Sequence, residues 1–301
     1  MGQLATIFLN VLTPVFALVL LGYLAGPRLG LQARTLSRVA YYLLMPGFIF
    51  SVLGTARVEG ALAARMVAYI LAVQVCCATA GFAVGRLLRR PAPVVAAYIL
   101  IATFANVGNF GLAIIRFALG DAATVAGTIY FVAISTSSFA ICVAAATWVK
   151  GGGLYAVAAV LKTPAVLCLP PALLLNLLNI PLPPVLLRPA DLLGSAMIPV
   201  MLLGLGVQFS ESGFPKLSTD MLLASGVRLI AAPVIALLLA LAFGVGGLER
   251  SAGIIQASTP AAVFAAIIAL EHDLLPDFVT ATVLFSTAVS VITMAVVLYL
   301  L

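Results

Sequence analysis

From Ile101 to Ile115 the chain is apolar except at its centre, where Asn106, Gly108, Asn109 and Gly111 fall within six residues. Two amides and two glycines are costly inside hydrocarbon. They are tolerated where a membrane helix is interrupted and its freed backbone groups face protein, water or a ligand. A helix broken at mid-membrane exposes backbone N–H groups and the positive end of its dipole, a setting suited to a carboxylate or another anion. Asn106 and Asn109 would add amide donors, and Gly108 and Gly111 would let a ligand approach the backbone. A second stretch of this kind, Ser258, Thr259, Pro260 and Ala261, offers two hydroxyls beside a proline in another apolar run. The alternative for all of these residues is close helix packing, which small residues also favour in membranes.

The remaining polar candidates are few. Gln74 and Gln256 lie inside apolar runs and could support the site, hold an ion, or bridge two helices. Arg228 could attract an anion, pair with a structural partner, or snorkel to the interface. The run Ser135–Ser138 could line a pathway, although hydroxyls bonded back to their own helix are the more usual outcome. No Asp or Glu falls in the middle of an apolar run, which argues against a carboxylate-based proton or sodium site. The only histidine, His272, is near a loop, and Cys76, Cys77, Cys142 and Cys168 show neither disulfide nor metal spacing. No metal, no cofactor and no catalytic centre are therefore expected.

The elements that must position these residues follow from composition. Of 301 residues, 64% are hydrophobic and 8% charged, with a mean hydropathy of +1.26. A soluble domain cannot present so little polar surface to water. At roughly 20 residues per crossing, the chain accommodates about ten spans. They are expected near 4–25, 37–53, 66–88, 94–119, 122–149, 154 or 160–178, 192–209, 221–243, 252–270 and 278–301. The first is too long for a signal-peptide core and is read as a span. The net charge of +6 is scattered between spans, where it sets orientation, and does not indicate nucleic acid.

Lys150-Gly-Gly-Gly153 lies at the midpoint and reads as a hinge between 1–150 and 151–301. Thr13-Pro14 recurs as Thr163-Pro164, Pro46 as Pro199, and Asn106-Val-Gly108 as Ser258-Thr-Pro260, at offsets of 150, 153 and 152. Three pairs in order at nearly constant offset predict two five-span repeats. Because five is odd, the second repeat would enter the membrane from the opposite side. Arg28, Arg34, Arg38, Arg86, Arg89, Arg90, Lys150, Lys162 and Lys216 follow odd-numbered spans, against Arg57, Arg65, Arg188 and Arg250 after even ones, with Arg116 and Arg228 at or inside span ends. That bias predicts cytoplasmic odd loops and both termini outside.

The C-terminal half carries the strongest resemblance to a known family. Gly226-Val-Arg-Leu-Ile-Ala-Ala-Pro233 resembles the "VRFLTGP" segment of the auxin efflux carrier family. Ile255-Gln-Ala-Ser-Thr-Pro260 resembles its "VQAALP", followed by Glu271 and Pro276-Asp277. Pro14, Gly22-Tyr23 and Pro46 match in the first half, and the Asn106 stretch is similar to the family's fourth span ending in "GIP". Ala113 and Ala265 stand where the family pattern has prolines, and Lys150-Gly-Gly-Gly replaces the long loop of many plant members. The resemblance implies an all-α membrane protein of ten helices in two inverted repeats, with broken helices four and nine crossing, as in the bile-acid-transporter architecture. It implies a scaffold of spans 1, 2, 6 and 7 and a transport domain of spans 3–5 and 8–10.

The expectation is a secondary transporter of a small organic anion, auxin-like or a dicarboxylate, working as an exporter or facilitator by elevator-type movement. Asn106 and the two breaks would bind the carboxylate, and residues around Pro46 and Pro199 would form the scaffold side of the cavity. The rival readings are a sodium- or proton-coupled symporter and a non-transporting membrane receptor. The expected partners are the anion and the bilayer of a bacterial inner membrane, with a homodimer as one option.

Overall fold

The computed structural model describes residues 8–55, 59–150, 164–178, 180–212 and 217–301. The glycines of the midpoint run, Lys162, Thr163, Arg57 and Lys216 lie outside the described residues, so the hinge and the Thr163-Pro164 correspondence do too. Fourteen α-helices are described: α1 (Thr13–Leu29), α2 (Ala33–Val39), α3 (Met45–Thr55), α4 (Gly60–Leu87), α5 (Ala92–Thr103), α6 (Leu112–Leu119), α7 (Asp121–Lys150), α8 (Pro164–Leu177), α9 (Pro184–Ser212), α10 (Thr219–Gly226), α11 (Ala232–Ala242), α12 (Gly247–Ala257), α13 (Val263–Glu271) and α14 (Pro276–Leu300). There is no sheet among the described residues. Among the described residues, seven helical stretches are long and apolar enough to cross a membrane: Leu9–Leu29, Ala33–Val52, Gly60–Leu87, Asp121–Ala146, Pro184–Glu211, Thr219–Ala242 and Pro276–Leu300. Their lipid-facing surface is rich in exposed Leu, Ile and Val, which only a bilayer makes favourable.

Several boundaries differ from the sequence expectation. The helix expected over 192–209 begins at Pro184, because a proline is favourable in the first helical turn, where its missing N–H has no partner to lose. Helix α8 runs through Pro170 and Pro171 without a break. Among the described residues, four wide π-helical turns interrupt or precede helices: Phe8–Leu12, Ala40–Leu44, Val107–Gly111 and Val227–Ala231. Three of them are followed two residues later by a proline: Pro14, Pro46 and Pro233. The proline ring clashes with the carbonyl four residues back and cannot donate to it, and widening the preceding turn relieves both problems. The fourth turn is followed at that position by Ala113.

Helix α9 packs along α1 and α3, and α8 packs on α3. These seams are tight because glycines lie in them. A β-carbon at Gly206 would stand 1.9 Å from the Val19 carbonyl oxygen, and one at Gly22 would stand 2.2 Å from that of Leu203. Helices α4, α5, α7, α11, α12 and α14 form a second packed group. In it the Tyr69 hydroxyl of α4 donates to the Ala236 carbonyl of α11 at 3.1 Å. At one end, Asp220 accepts from Arg90 Nε and from the Tyr98 hydroxyl, both at 2.9 Å, which ties α10 to the start of α5.

Candidate functional site

The two sequence breaks meet. Helix α5 ends at Thr103 and the chain resumes helical form at Val107; α12 ends at Ala257 and α13 starts at Val263. Between them, Ala105 and Ala261 pair as a short antiparallel bridge. Asn106 N–H donates to the Pro260 carbonyl and Ala262 N–H donates to the Phe104 carbonyl, both at 2.8 Å. Each interrupted helix thus satisfies part of the other's freed backbone, as buried irregular backbone must. The crossing forms with Ala113 and Ala265 in place of the family prolines.

The carbonyl ends of α5 and α12 converge on buried side chains. Arg228, 1% exposed, donates from Nη1 to the Ala102 carbonyl at 2.7 Å, from Nε to the Thr259 carbonyl at 2.9 Å, and from Nη2 to the Ala257 carbonyl. It does not snorkel. Gln74 Nε2 donates to the Thr103 carbonyl at 3.1 Å and to Ser138 Oγ at 2.7 Å, and Ser138 itself donates to the Thr103 carbonyl. Gln256 Nε2 donates to the Gly127 carbonyl at 3.0 Å, tying α12 to α7. Both glutamines therefore bridge helices around the crossing. The Ser258 and Thr259 hydroxyls bond back to the Ile254 and Gln256 carbonyls of their own helix.

Beside the crossing lies a cavity of about 50 Å³. Phe104, Asn106, Gly108, Asn109, Ala262 and Phe264 line it from the two breaks, with Phe131, Ser135 and Phe139 of α7. Leu36, Ser37, Met45, Val200, Met201 and Gly204 close it from α2, α3 and α9. Phe104, Phe139 and Phe264 make an aromatic wall with ring centroids 5.0–5.9 Å apart. Asn106 is 4% exposed, and its Nδ2 is buried with no hydrogen-bond partner. An unmet buried amide donor costs about 1–3 kcal/mol, and a bound acceptor would recover that.

The expected site residues divide accordingly. Asn106, Gly108 and Asn109 line the cavity. Gly111, Ser258, Thr259, Pro260 and Ala261 build the crossing but do not line it. Pro46 and Pro199 stand one residue from the lining Met45 and Val200, and Pro199 itself is exposed. The sequence reading missed the aromatic wall, because phenylalanines are unremarked in any apolar run.

Paired broken helices within a bundle of long apolar helices define a multi-pass membrane protein of the transporter class. Residues 7–154 and 155–298 match the family described as membrane transport protein, and the chain belongs to that family, which includes the auxin efflux carriers. An "Uncharacterized transporter" of Methanothermobacter thermautotrophicus is 30% identical over 102 residues, a match covering 34% of each chain.

Proposed function

We propose that the chain is a secondary transporter that exports a small organic anion across the bacterial inner membrane. The observation that carries this is Asn106 Nδ2: a buried, unpartnered donor on a cavity between two broken helices. The helix running from Val107 to Leu119 and α13 both begin at the breaks, and helix N-termini attract negative charge. The aromatic wall suits the apolar body of a carboxylate, and the small cavity suits a compact one.

In this reading the chain has ten spans in two inverted repeats, 1–150 and 151–301, with odd loops cytoplasmic and termini outside. The packing supports a two-fold relation: α1 of the first repeat packs on α9 of the second, and α8 of the second packs on α3 of the first. Spans 1, 2, 6 and 7 form the scaffold, and the remainder carries the site past it in an elevator motion. The cavity lies where those two groups touch, as alternating access about a mid-membrane site requires.

The test is uptake of labelled indole-3-acetate, benzoate and malonate into proteoliposomes. Asn106→Ala should lower flux of the transported carboxylate to the level of empty vesicles while keeping the wild-type elution profile and unfolding midpoint in detergent. Wild-type flux from that variant would remove Asn106 from the site.

A further inference from the structure

Arg228 is a full positive charge, entirely buried, and no carboxylate among the described residues pairs with it. Such a charge is strongly unfavourable unless something compensates it. Two of its three partners, the Ala102 and Ala257 carbonyls, lie at the C-terminal ends of α5 and α12, and the third, that of Thr259, lies in the break two residues beyond α12. A helix C-terminus carries about half a negative charge, so two ends present about one full negative charge to one guanidinium. Beyond the breaks, the chain resumes as helices whose N-termini carry the opposite half-charges.

We propose that Arg228 is the built-in counter-cation of the crossing: its guanidinium cancels the two carbonyl ends, leaving the N-terminal ends to attract an organic anion with no co-bound cation. This rests on the organic-anion reading for its ligand, but not for its electrostatics. A crossing without Arg228 would have to bind a cation from solution to close the same charge count. Arg228 lines no part of the cavity, so it acts as a positioning residue through the backbone of the breaks. Gln74 and Ser138 meet the neighbouring Thr103 carbonyl with neutral donors, so Arg228 supplies charge where hydrogen bonding alone is already provided next to it.

The experiment compares the wild type with Arg228→Ala and Arg228→Lys, reading thermal unfolding in detergent and carboxylate flux in proteoliposomes, each with low-millimolar guanidinium or urea. Urea has nearly the shape and donors of guanidinium without the charge. Arg228→Ala should lose flux on the order of a hundredfold, as expected for removing one member of a buried charge arrangement. Guanidinium should raise both its unfolding midpoint and its flux, urea should raise neither, and Arg228→Lys should lie between Ala and wild type. Replacing sodium with N-methylglucamine should leave wild-type flux unchanged.

Equal rescue by urea, failure of guanidinium to raise the unfolding midpoint of Arg228→Ala, or a sodium requirement in the wild type would overturn the proposal. If no carboxylate moves in the wild type, the organic-anion reading fails alone, and the thermal comparison of guanidinium with urea still decides the role of Arg228.

Discussion

At the scale of single residues, Gly111 and Gln256 show how the crossing is fitted together. A β-carbon at Gly111 would lie 1.9 Å from Gln256 Oε1, which is itself buried without a partner. Gly111 therefore makes room for the amide that ties α12 to α7, rather than for a ligand. Gly111→Ala should destabilise the protein by about 1–3 kcal/mol through overpacking. Gln256→Ala should lose its bond to Gly127 and cost a similar amount. The double variant should be less destabilised than the sum, and additive unfolding midpoints would show that the two residues do not touch. Asn106 was legible in the sequence because an amide in an apolar run is conspicuous. The task of Arg228 was not, because its partners are backbone carbonyls 29, 31 and 126 residues away, and a carbonyl has no sequence signature. Serine and threonine were legible only as polar; that Ser258 and Thr259 turn back on their own helix is a rotamer choice set by the surrounding packing.

At the scale of elements, hydrophobic runs marked the helices well, and proline marked where they widen. The pattern of a π-helical turn followed two residues later by proline holds for Pro14, Pro46 and Pro233. Ala113 occupies the equivalent place after Val107–Gly111, so the backbone there already has the shape that proline requires. Ala113→Pro should therefore cost little stability, whereas Ala126→Pro, inside the uninterrupted α7, should cost about 3 kcal/mol or more. Comparable losses in the two unfolding curves would contradict this account. Helix ends were less legible. The start of α9 at Pro184 looked like a loop because four prolines and Arg188 cluster there, and a proline in a first turn cannot be told from one in a loop by sequence alone. The same packing logic gives a second test on α9. Gly206→Ala places a methyl against the Val19 carbonyl, and backbone cannot yield as a side chain would. It should lower the unfolding midpoint more than Gly204→Ala, whose nearest neighbour is the Leu36 side chain at 3.4 Å.

At the scale of the whole molecule, the question is whether the group holding the crossing moves against α1, α3, α8 and α9. The glycine-tight seams among those four leave little freedom within them, since small residues bring backbones together and rigid packing resists sliding. The boundary at the cavity differs. Met201 of α9 and Phe131 of α7 both approach Gly108, within 3.0 and 3.1 Å of where a β-carbon would stand, and they meet through flexible or aromatic side chains rather than backbone. A bridge between these two positions would join the two groups across the site. In a variant with the four native cysteines replaced by alanine, Met201→Cys and Phe131→Cys joined by a short bismaleimide should stop carboxylate flux. Because both positions line the cavity, each single-cysteine variant treated in the same way measures blockage by the reagent, and the further loss in the bridged protein measures immobilisation. A pair on one group, Ser51→Cys with Asp191→Cys, whose native side chains hydrogen-bond away from the cavity, should tolerate the same bridge because α3 and α9 would move together. Full flux from the bridged Met201–Phe131 protein would rule out sliding at this boundary, and the site would then have to open by movement of local segments around a fixed crossing.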